Sequence, residues 1–401
     1  MILRSHMKTA FSILAAAAFL LAGTLSISAQ QDLNRVEKSK EGLYFMFYDS
    51  SNSKSTIVEF NDFVVLIEVP VKDEGGGATN MKDHIEGGLK AIRTIESQFP
   101  GKPIKYVIHS HWHPHSISAV APFLENGSKL ITTMENYSII KKYMDESVKE
   151  KYKANVIFAE ADPRSAGDSL VIDEPGNRIV IHYLKKSDYP NLPTVDYLYC
   201  YLPKYNMLHC ACMYNKWTGE PVEGKEMLTG REEDLHRFLA EKNIKPEHLI
   251  RLTNEKSAPG NLQPFSGLDD VVNNGIRASD ILNRYTILSE QELKDKFDVI
   301  AEELTNNNIP VSLMNTAAYQ MLRSNDLSRA LVFAKLQAFL NPSDPNSWDT
   351  LGEVYYFMGK LESARRCSKE AKEIDPNFSQ GGEKVWEEDL KEYQKIWESA
   401  K

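Results

Sequence analysis

Apolar and polar positions follow two different periods along the chain. As far as about residue 255, short apolar runs such as STIVEF, FVVLIEVP and IKYVIHS predict strands. Between them, the segment MKDHIEGGLKAIRTIESQF places Ile85, Leu89, Ile92 and Ile95 on one helical face. Strands that alternate with helices in this way predict sheets packed on each other with helices outside.

The middle of the chain continues the alternation. SLVIDEPGNRIVIHYL predicts two strands with a turn at Glu174–Asn177, and YLYCYLPKYNMLHCACMY predicts two more with a turn near Pro203–Asn206. HLIRL is the last predicted strand. Three further segments predict helices: SAVAPFLEN, ENYSIIKKYMDESVKEKY and EEDLHRFLAEKNI.

After Pro259 the composition changes, and everything after about Asp269 is predicted to be helical. KSAPGNLQPFSG, rich in Pro, Gly and Ser, indicates a linker, which we place over 261–284. The helical domain over 285–401 contains two units offset by 34 residues, with flanking helices at about 285–305 and 383–398. The second unit carries W-x2-L-G-x2-Y from Trp348 to Tyr355, and Pro342 matches Pro376. This tail resembles the tetratricopeptide repeat. Two roles stay open for such a short stack: a packing module, or a groove that docks a protein or peptide.

The N-terminus has the pattern of an export signal. Lys8 precedes the apolar run AFSILAAAAFLLAG, and small residues before Gln30 suit cleavage after Ala29. We therefore expect residues 1–29 to be a signal peptide and the mature protein to be periplasmic or secreted. No later segment is long and apolar enough to predict a membrane span. The net charge is −9, and no basic cluster indicates a nucleic-acid partner.

Four histidines occupy every second position in HSHWHPHSIS, at His109, His111, His113 and His115. Alternate side chains of a strand share one face, so several of these imidazoles could reach one zinc ion. Pro114 is expected to bend the chain, so that His115 leaves the strand geometry. Four histidines at the end of an apolar strand favour a present or former metal site over a polar strand end.

The stretch KYVIHSHWHPHSISAV resembles the signature of the metallo-β-lactamase superfamily, T-H-x-H-x-D-H-x-G-G. His111 and His113 match its first two zinc ligands, whereas His115 and Ser116 replace the Asp and His that hold the second metal. The resemblance extends over about 41–260 and places Cys212 at the position of a metal-binding Asp. It implies a four-layer αβ/βα sandwich, ahead of the all-α repeat domain.

The resemblance also implies a zinc site that has lost ligands. Pro193 stands where the family has another histidine, and no histidine follows HLIRL. The remaining metal candidates are His111, His113, His115 and Cys212, for one ion or none. Asp188 and Asp196 are candidates for a base or a ligand in the loop that approaches the pocket. His109, His209 and Cys210 are also close in sequence to these positions.

Two functions in different classes follow. One is an exported zinc hydrolase of a small ester, lactone or amide, in which a metal-bound hydroxide attacks a carbonyl. The other is a non-catalytic scaffold whose helical repeats recruit a partner. The sequence leaves open the substrate, the oligomeric state and a Cys200–Cys210 disulfide.

Overall fold

The computed structural model of the chain describes residues 33–48, 53–70, 81–112, 120–162, 169–214, 219–253, 262–376, 378 and 381–399. The chain divides into two compact units. Unit 1 draws on residues 1–212 and 246–263, and unit 2 on residues 213–245 and 264–401. The segment 213–245, which lies inside the predicted sandwich domain of 41–260, is thus part of unit 2.

The first sheet of unit 1 follows chain order. Its strands are β1 (Arg35–Lys40), β2 (Leu43–Phe47), β3 (Lys54–Glu59), β4 (Val64–Ile67), β5 (Ile104–Ile108), β6 (Lys129–Thr132) and β7 (Val156–Phe158). The strands from β1 to β4 pair antiparallel, and those from β4 to β7 pair parallel. Because β4, β5 and β6 are parallel, their carboxyl ends lie at one edge of the sheet.

The second sheet has the order β14-β13-β11-β10-β9-β8. Its strands are β8 (Ser169–Glu174), β9 (Asn177–Lys185), β10 (Asp196–Leu202), β11 (Met207–Ala211), β13 (His248–Arg251) and β14 (Gln263–Pro264). The turns after Glu174 and Leu202 lie where the sequence predicted them. Asn206 closes the second of these with φ +51°, a left-handed conformation that asparagine tolerates.

The two sheets pack face to face. Along β2, Leu43, Phe45 and Phe47 enter a core that also contains Leu198 and Ile250 of the second sheet. The alternate residues Tyr44 and Met46 enter a second core on the other face of the first sheet. This period of two is the alternation expected for strands that are buried on both sides.

Helices cover that outer face. They are α1 (Met81–Gln98), α2 (Val120–Glu125), α3 (Met134–Ile140) and α4 (Glu146–Lys151), with 3-10 turns at Lys141–Tyr143 and Lys153–Asn155. Ile92, Ile95 and Phe123 are among the side chains that pack there. The segment 135–152, predicted as helix throughout, is interrupted because Met144 is extended and buried. The predicted β-sandwich with helices is confirmed.

Unit 2 is mainly helical. Its helices are α5 (Gly230–Glu241), α6 (Phe265–Asn274), α7 (Ala278–Thr286), α8 (Glu290–Asp295), α9 (Phe297–Asn306), α10 (Ser312–Arg323), α11 (Leu327–Leu340), α12 (Pro345–Phe357), α13 (Leu361–Ile374) and α14 (Glu383–Ser399). The strands β12 (Met227–Leu228) and β15 (Ile276–Arg277) pair in parallel. The segment 261–284, predicted as a linker, therefore contains α6 and most of α7.

The predicted period is visible in the helix bounds. Both ends of α13 lie 34 residues after the corresponding ends of α11. Ala317 and Ala330, on neighbouring helices, are fully buried, because small residues let paired helices approach closely. The helical C-terminal part is confirmed. None of the described helices is long and apolar enough to cross a membrane.

Candidate functional site

The predicted site lies where the parallel strands of the first sheet end. The strand β5 ends at Ile108, so His109 and His111 lie in the segment that directly follows it. The amide of His109 donates to Ile131 O (2.9 Å), and the Thr132 hydroxyl donates to His109 O (3.2 Å). Both imidazoles are fully buried.

Glu68 holds the histidine segment from the end of β4. Its carboxylate accepts the Ser110 amide (2.8 Å), and its second oxygen lies 3.2 Å from His109 Nδ1. Glu68 is fully buried with φ +62°, a backbone conformation that costs about 1–3 kcal/mol in a residue with a side chain. Its amide donates to Ile108 O (2.9 Å), which helps to stabilise that conformation.

The charges around Glu68 come from both sheets. Burial alone raises the pKa of the Glu68 carboxyl, but His109, His209 and Ser110 more than offset it, and the pKa lies below its usual value. His209, on β11, is fully buried, and burial lowers its pKa to about 4. Lys54, at the start of β3, is also fully buried and donates to Thr253 O (2.5 Å). His209 is therefore neutral at pH 7, near a buried carboxylate and a buried ammonium.

Asn136 holds the same segment from α3. Its side-chain amide donates to Ser110 O (3.3 Å), and its oxygen accepts the Trp112 amide (3.0 Å). The Leu198 amide of β10 also donates to Ser110 O (2.9 Å). The backbone from 110 to 112 is thus anchored by a helix and by the second sheet.

His111 contacts Tyr197 of the second sheet. The Ser110 hydroxyl lies 2.8 Å from His111 Nδ1, and the imidazole stacks on the Tyr197 ring at a centroid distance of 4.6 Å. The Tyr197 hydroxyl donates to Cys210 O (3.2 Å) and accepts the Cys212 amide (2.8 Å). Burial raises the pKa of Tyr197 well above its usual value, so the phenol is protonated. One tyrosine therefore joins His111 to the backbone of Cys212.

The other predicted residues have separate environments. His113 and His115 lie outside the described residues. Asp188 is exposed, and its carboxylate accepts the Ser187 hydroxyl (3.1 Å). Asp196 is buried and accepts the Tyr183 hydroxyl (3.1 Å). Burial, with the nearby Glu135 carboxylate, raises the Asp196 pKa above its usual value. The catalytic roles of the two aspartates stay predictions.

The described cysteines are all free thiols. Cys200 lies opposite His209 in the ladder between β10 and β11. Because neighbouring residues of a strand point to opposite faces, Cys210 projects away from Cys200, and its thiol lies 3.6 Å from Ile250 O. The Cys200–Cys210 disulfide that the sequence left open is therefore absent.

A catalytic zinc site needs about three protein donors that converge on one point. Within the part of the chain that the structure describes, no three His, Cys, Asp or Glu side chains are grouped to hold an ion. Glu68 and His109 face each other, and the imidazole of His111 lies against Ser110 and Tyr197. The described residues do not fit a zinc site by themselves, and His113 and His115 remain its untested members.

Sequence reasoning missed Glu68, Lys54, Asn136 and Tyr197. A signal existed for Glu68, because it follows the apolar run VVLI in the same way as His109 follows YVI. Two polar residues at the ends of neighbouring parallel strands are expected to meet. Nothing local distinguishes Tyr197 or Asn136 from ordinary core residues.

Several solved structures are similar to this chain. A metallo-β-lactamase from Pontibacter korlensis aligns at 13% identity over 60% of this chain and 97% of its own, with a TM-score of 0.39. One from Hirschia baltica aligns at 14% over 60% and 97%, with a TM-score of 0.37. The DIM-1 metallo-β-lactamase aligns at 14% over 60% and 96%, with a TM-score of 0.40.

No known family's sequence profile matches the chain, and no curated protein matches it. The fold assignment rests on the strand order and the shared core between the two sheets.

Proposed function

We propose that this protein is a binding protein: unit 1 is a metallo-β-lactamase-like scaffold without hydrolytic activity, and the helical repeats of unit 2 recruit a protein partner. The observation that carries the first part is Tyr197. Its ring covers one face of the His111 imidazole, and its hydroxyl is bonded at Cys210 and Cys212. A neutral phenol is a poor metal ligand, so Tyr197 fills the space between His111 and the backbone of Cys212 without adding a zinc donor.

The surrounding polar groups support the same proposal. Glu68, His109 and Asn136 are used to hold the backbone of the histidine segment. Pro193 supplies no donor at the position of the third histidine of the family. A general base or nucleophile needs a reacting group within hydrogen-bond reach, but Glu68 and His109 face each other and Asn136 bonds the backbone of Ser110 and Trp112.

The test is metal content together with hydrolysis, on the full mature chain purified without chelator. We expect well under one equivalent of zinc by inductively coupled plasma mass spectrometry. We also expect ester, lactone and β-lactam substrates to be hydrolysed no faster by the wild type than by His111→Ala. About one equivalent of tightly bound zinc that is lost in His111→Ala would contradict the proposal.

One observation favours the zinc hydrolase as a second candidate. The Ser110 hydroxyl contacts His111 Nδ1 at 2.8 Å, and a partner on one ring nitrogen is what orients a histidine ligand. If His113 joins His111 and Cys212 as the third donor, a fourth position stays open, and a bound ion would activate water there for attack on a carbonyl. His113→Ala and Cys212→Ser would then each lower zinc content, whereas Cys200→Ser would leave it unchanged.

We also propose that the protein is exported, which rests on the N-terminal pattern alone. Fractionation followed by N-terminal sequencing is expected to give mature protein that begins at Gln30. Protein that stays in the cytoplasm and retains Lys8 would overturn the proposal.

A further inference from the structure

The last helix, α14, lies on α10 and α12, the first helices of the two repeats. We call this surface the α10–α12 groove; Tyr319, Asp349, Gly352 and Glu353 line it. At one end of α14, the Trp386 indole donates to Asp349 (3.0 Å) and is 1% exposed. At the other end, the Trp397 indole donates to Leu322 O (2.7 Å). Aromatic side chains thus anchor α14 at both ends.

The absence of a side chain at Gly352 leaves the space that the Trp386 indole occupies. A Cβ at Gly352 would lie 2.6 Å from the indole ring and 3.1 Å from Cys367. The first distance is well inside van der Waals contact, so no side chain fits there. Further along, Tyr393 packs on Phe357 at a centroid distance of 5.4 Å. The groove is therefore complementary to an amphipathic helix with spaced aromatic residues.

The charges in the groove lack this complementarity. Asp349 is 7% exposed and Glu353 is 3% exposed. Asp349 accepts the Trp386 indole N–H, and Glu353 accepts the Tyr319 hydroxyl (2.7 Å), so both donors are neutral. No Lys or Arg among the described residues forms an ion pair with either carboxylate. The helix α14 instead presents a third carboxylate, Asp389, whose charge acts on both.

A buried carboxylate without a cation is costly. Burial raises the pKa of Asp349 to about 6 and that of Glu353 to about 7, and Asp389 adds to both shifts. At pH 8 the groove therefore holds negative charge with which no Lys or Arg of the described residues forms an ion pair.

We propose that α14 is an imperfect intramolecular occupant of the α10–α12 groove, and that the partner for this groove is an amphipathic helix that presents Lys or Arg to Asp349 and Glu353. This rests on the proposed role of unit 2 in recruiting a partner, and it names the chemistry of that partner. Such a helix would keep the aromatic anchors and would replace the carboxylate of Asp389 by a cation. A charge-assisted hydrogen bond is about twice as strong as a neutral one.

The titratable groups that face the two carboxylates come from four helices. They are Tyr319 of α10, Asp349 and Glu353 themselves on α12, Cys367 of α13, and Asp389 and Tyr393 of α14. The raised pKa values mean that the docked state holds more protons than the open state between pH 4 and 7. Docking of α14 therefore weakens as the pH rises through that range.

The experiment is hydrogen–deuterium exchange of α14 in the full-length chain at pH 5 and pH 8, corrected for intrinsic exchange rates. We expect wild-type α14 to lose about tenfold in protection at pH 8, since one pKa unit corresponds to a tenfold change in equilibrium. Asp389→Lys should restore about tenfold at pH 8. Glu388→Lys makes the same charge change at an exposed neighbour. It should raise the logarithm of the α14 protection factor at pH 8 by less than half as much as Asp389→Lys does. The double variant Asp349→Asn/Glu353→Gln should remove the pH dependence.

The proposal is overturned if Asp389→Lys protects α14 no more than Glu388→Lys does. If Asp389→Lys fails to fold, Asp389→Asn serves in its place, with a smaller gain expected in the same direction.

A peptide separates this inference from the proposed function. Two synthetic peptides carry the sequence of 383–399, one native and one with Asp389 replaced by lysine, and each is titrated into full-length Trp386→Ala protein at pH 8. Preferential binding of the lysine peptide supports the inference. Equal binding of both peptides supports a helix-binding groove but overturns the inferred preference for a cation at position 389. If neither peptide binds, both the helix-binding groove and that preference are overturned.

Discussion

The two units each bury a group of ionisable side chains, but the partners of the buried carboxyl groups differ between them. In unit 1, Glu68 is surrounded by His109, His209 and the Ser110 amide, and its pKa is lowered. In unit 2, Asp349 and Glu353 accept hydrogen bonds from the neutral donors Trp386 and Tyr319 and form no ion pair with a described Lys or Arg, and their pKa values are raised. A buried charge that is compensated holds neighbouring backbone in place. A buried carboxyl without a cation has a raised pKa instead, because burial disfavours its charged form.

The largest expected effect is the loss of the compensated charge. Glu68→Ala removes the carboxylate that the Ser110 amide and His109 contact, and it keeps a positive φ at a residue with a side chain. We expect unit 1 to lose about 3–5 kcal/mol, the cost of breaking a buried pair, measured by urea unfolding. The control is Glu59→Gln, whose pair with Lys102 is partly exposed (2.7 Å) and should cost about 1 kcal/mol or less. Equal losses in both variants would contradict the role assigned to Glu68.

The pH dependence of the two units is expected to have opposite signs. In unit 1 the pKa of His209 falls from 6.5 to about 4, so the unfolded state binds more protons between these values, and stability rises with pH. In unit 2 the folded state binds more protons between pH 4 and 7, and stability falls with pH by about 1–3 kcal/mol.

Exchange of core amides in each unit, measured at pH 4.5 and pH 7.5, checks this contrast. Asp349→Asn/Glu353→Gln should flatten the profile of unit 2 alone. A common sign in both units would contradict either the lowered pKa of His209 or the raised pKa values of Asp349 and Glu353.

The contact between Gly352 and Trp386, where α14 packs on α12, gives a more local test. Gly352→Ala forces a methyl group against the Trp386 indole, and we expect unit 2 to lose about 1–3 kcal/mol, as in other overpacked cores. In a Trp386→Ala background the same substitution should cost much less, because its clash is gone. A double-mutant cycle of urea midpoints measures the coupling, and additive effects would show that Gly352 does not contact the indole in solution.

The smallest expected effect concerns the anchoring of the histidine segment from α3. Asn136→Ala leaves the Trp112 amide without its acceptor, and we expect a cost of about 1–2 kcal/mol. Asn155→Ala, which removes a partly exposed bond to Ser128 O (3.3 Å), is the matched control and should cost less. If the two variants unfold at the same urea concentration, Asn136 does not secure this segment.

Much of the fold was predictable because it depends on local periodicity. The short apolar runs FVVLIEVP and IKYVIHS predicted buried strands, and the 34-residue period predicted the equal spacing of α11 and α13. The histidine face was not predictable in this way. The position of His111 depends on the hydrogen bonds that Glu68 and Asn136 make to the backbone of Ser110 and Trp112. Glu68 and Asn136 are distant from His111 in sequence.

The sequence by itself determined much of the order of strands and helices, the 34-residue period and the place of His109 and His111 after β5. These follow from hydrophobic period, turn residues and spacing, which are properties of short segments. Only the tertiary structure decided which polar groups meet: Tyr197 with His111, Glu68 with His109, and Asp349 with a helix that begins 34 residues later. The energy of a buried charge depends on what surrounds it in three dimensions, so these pairings become visible only when the chain is folded.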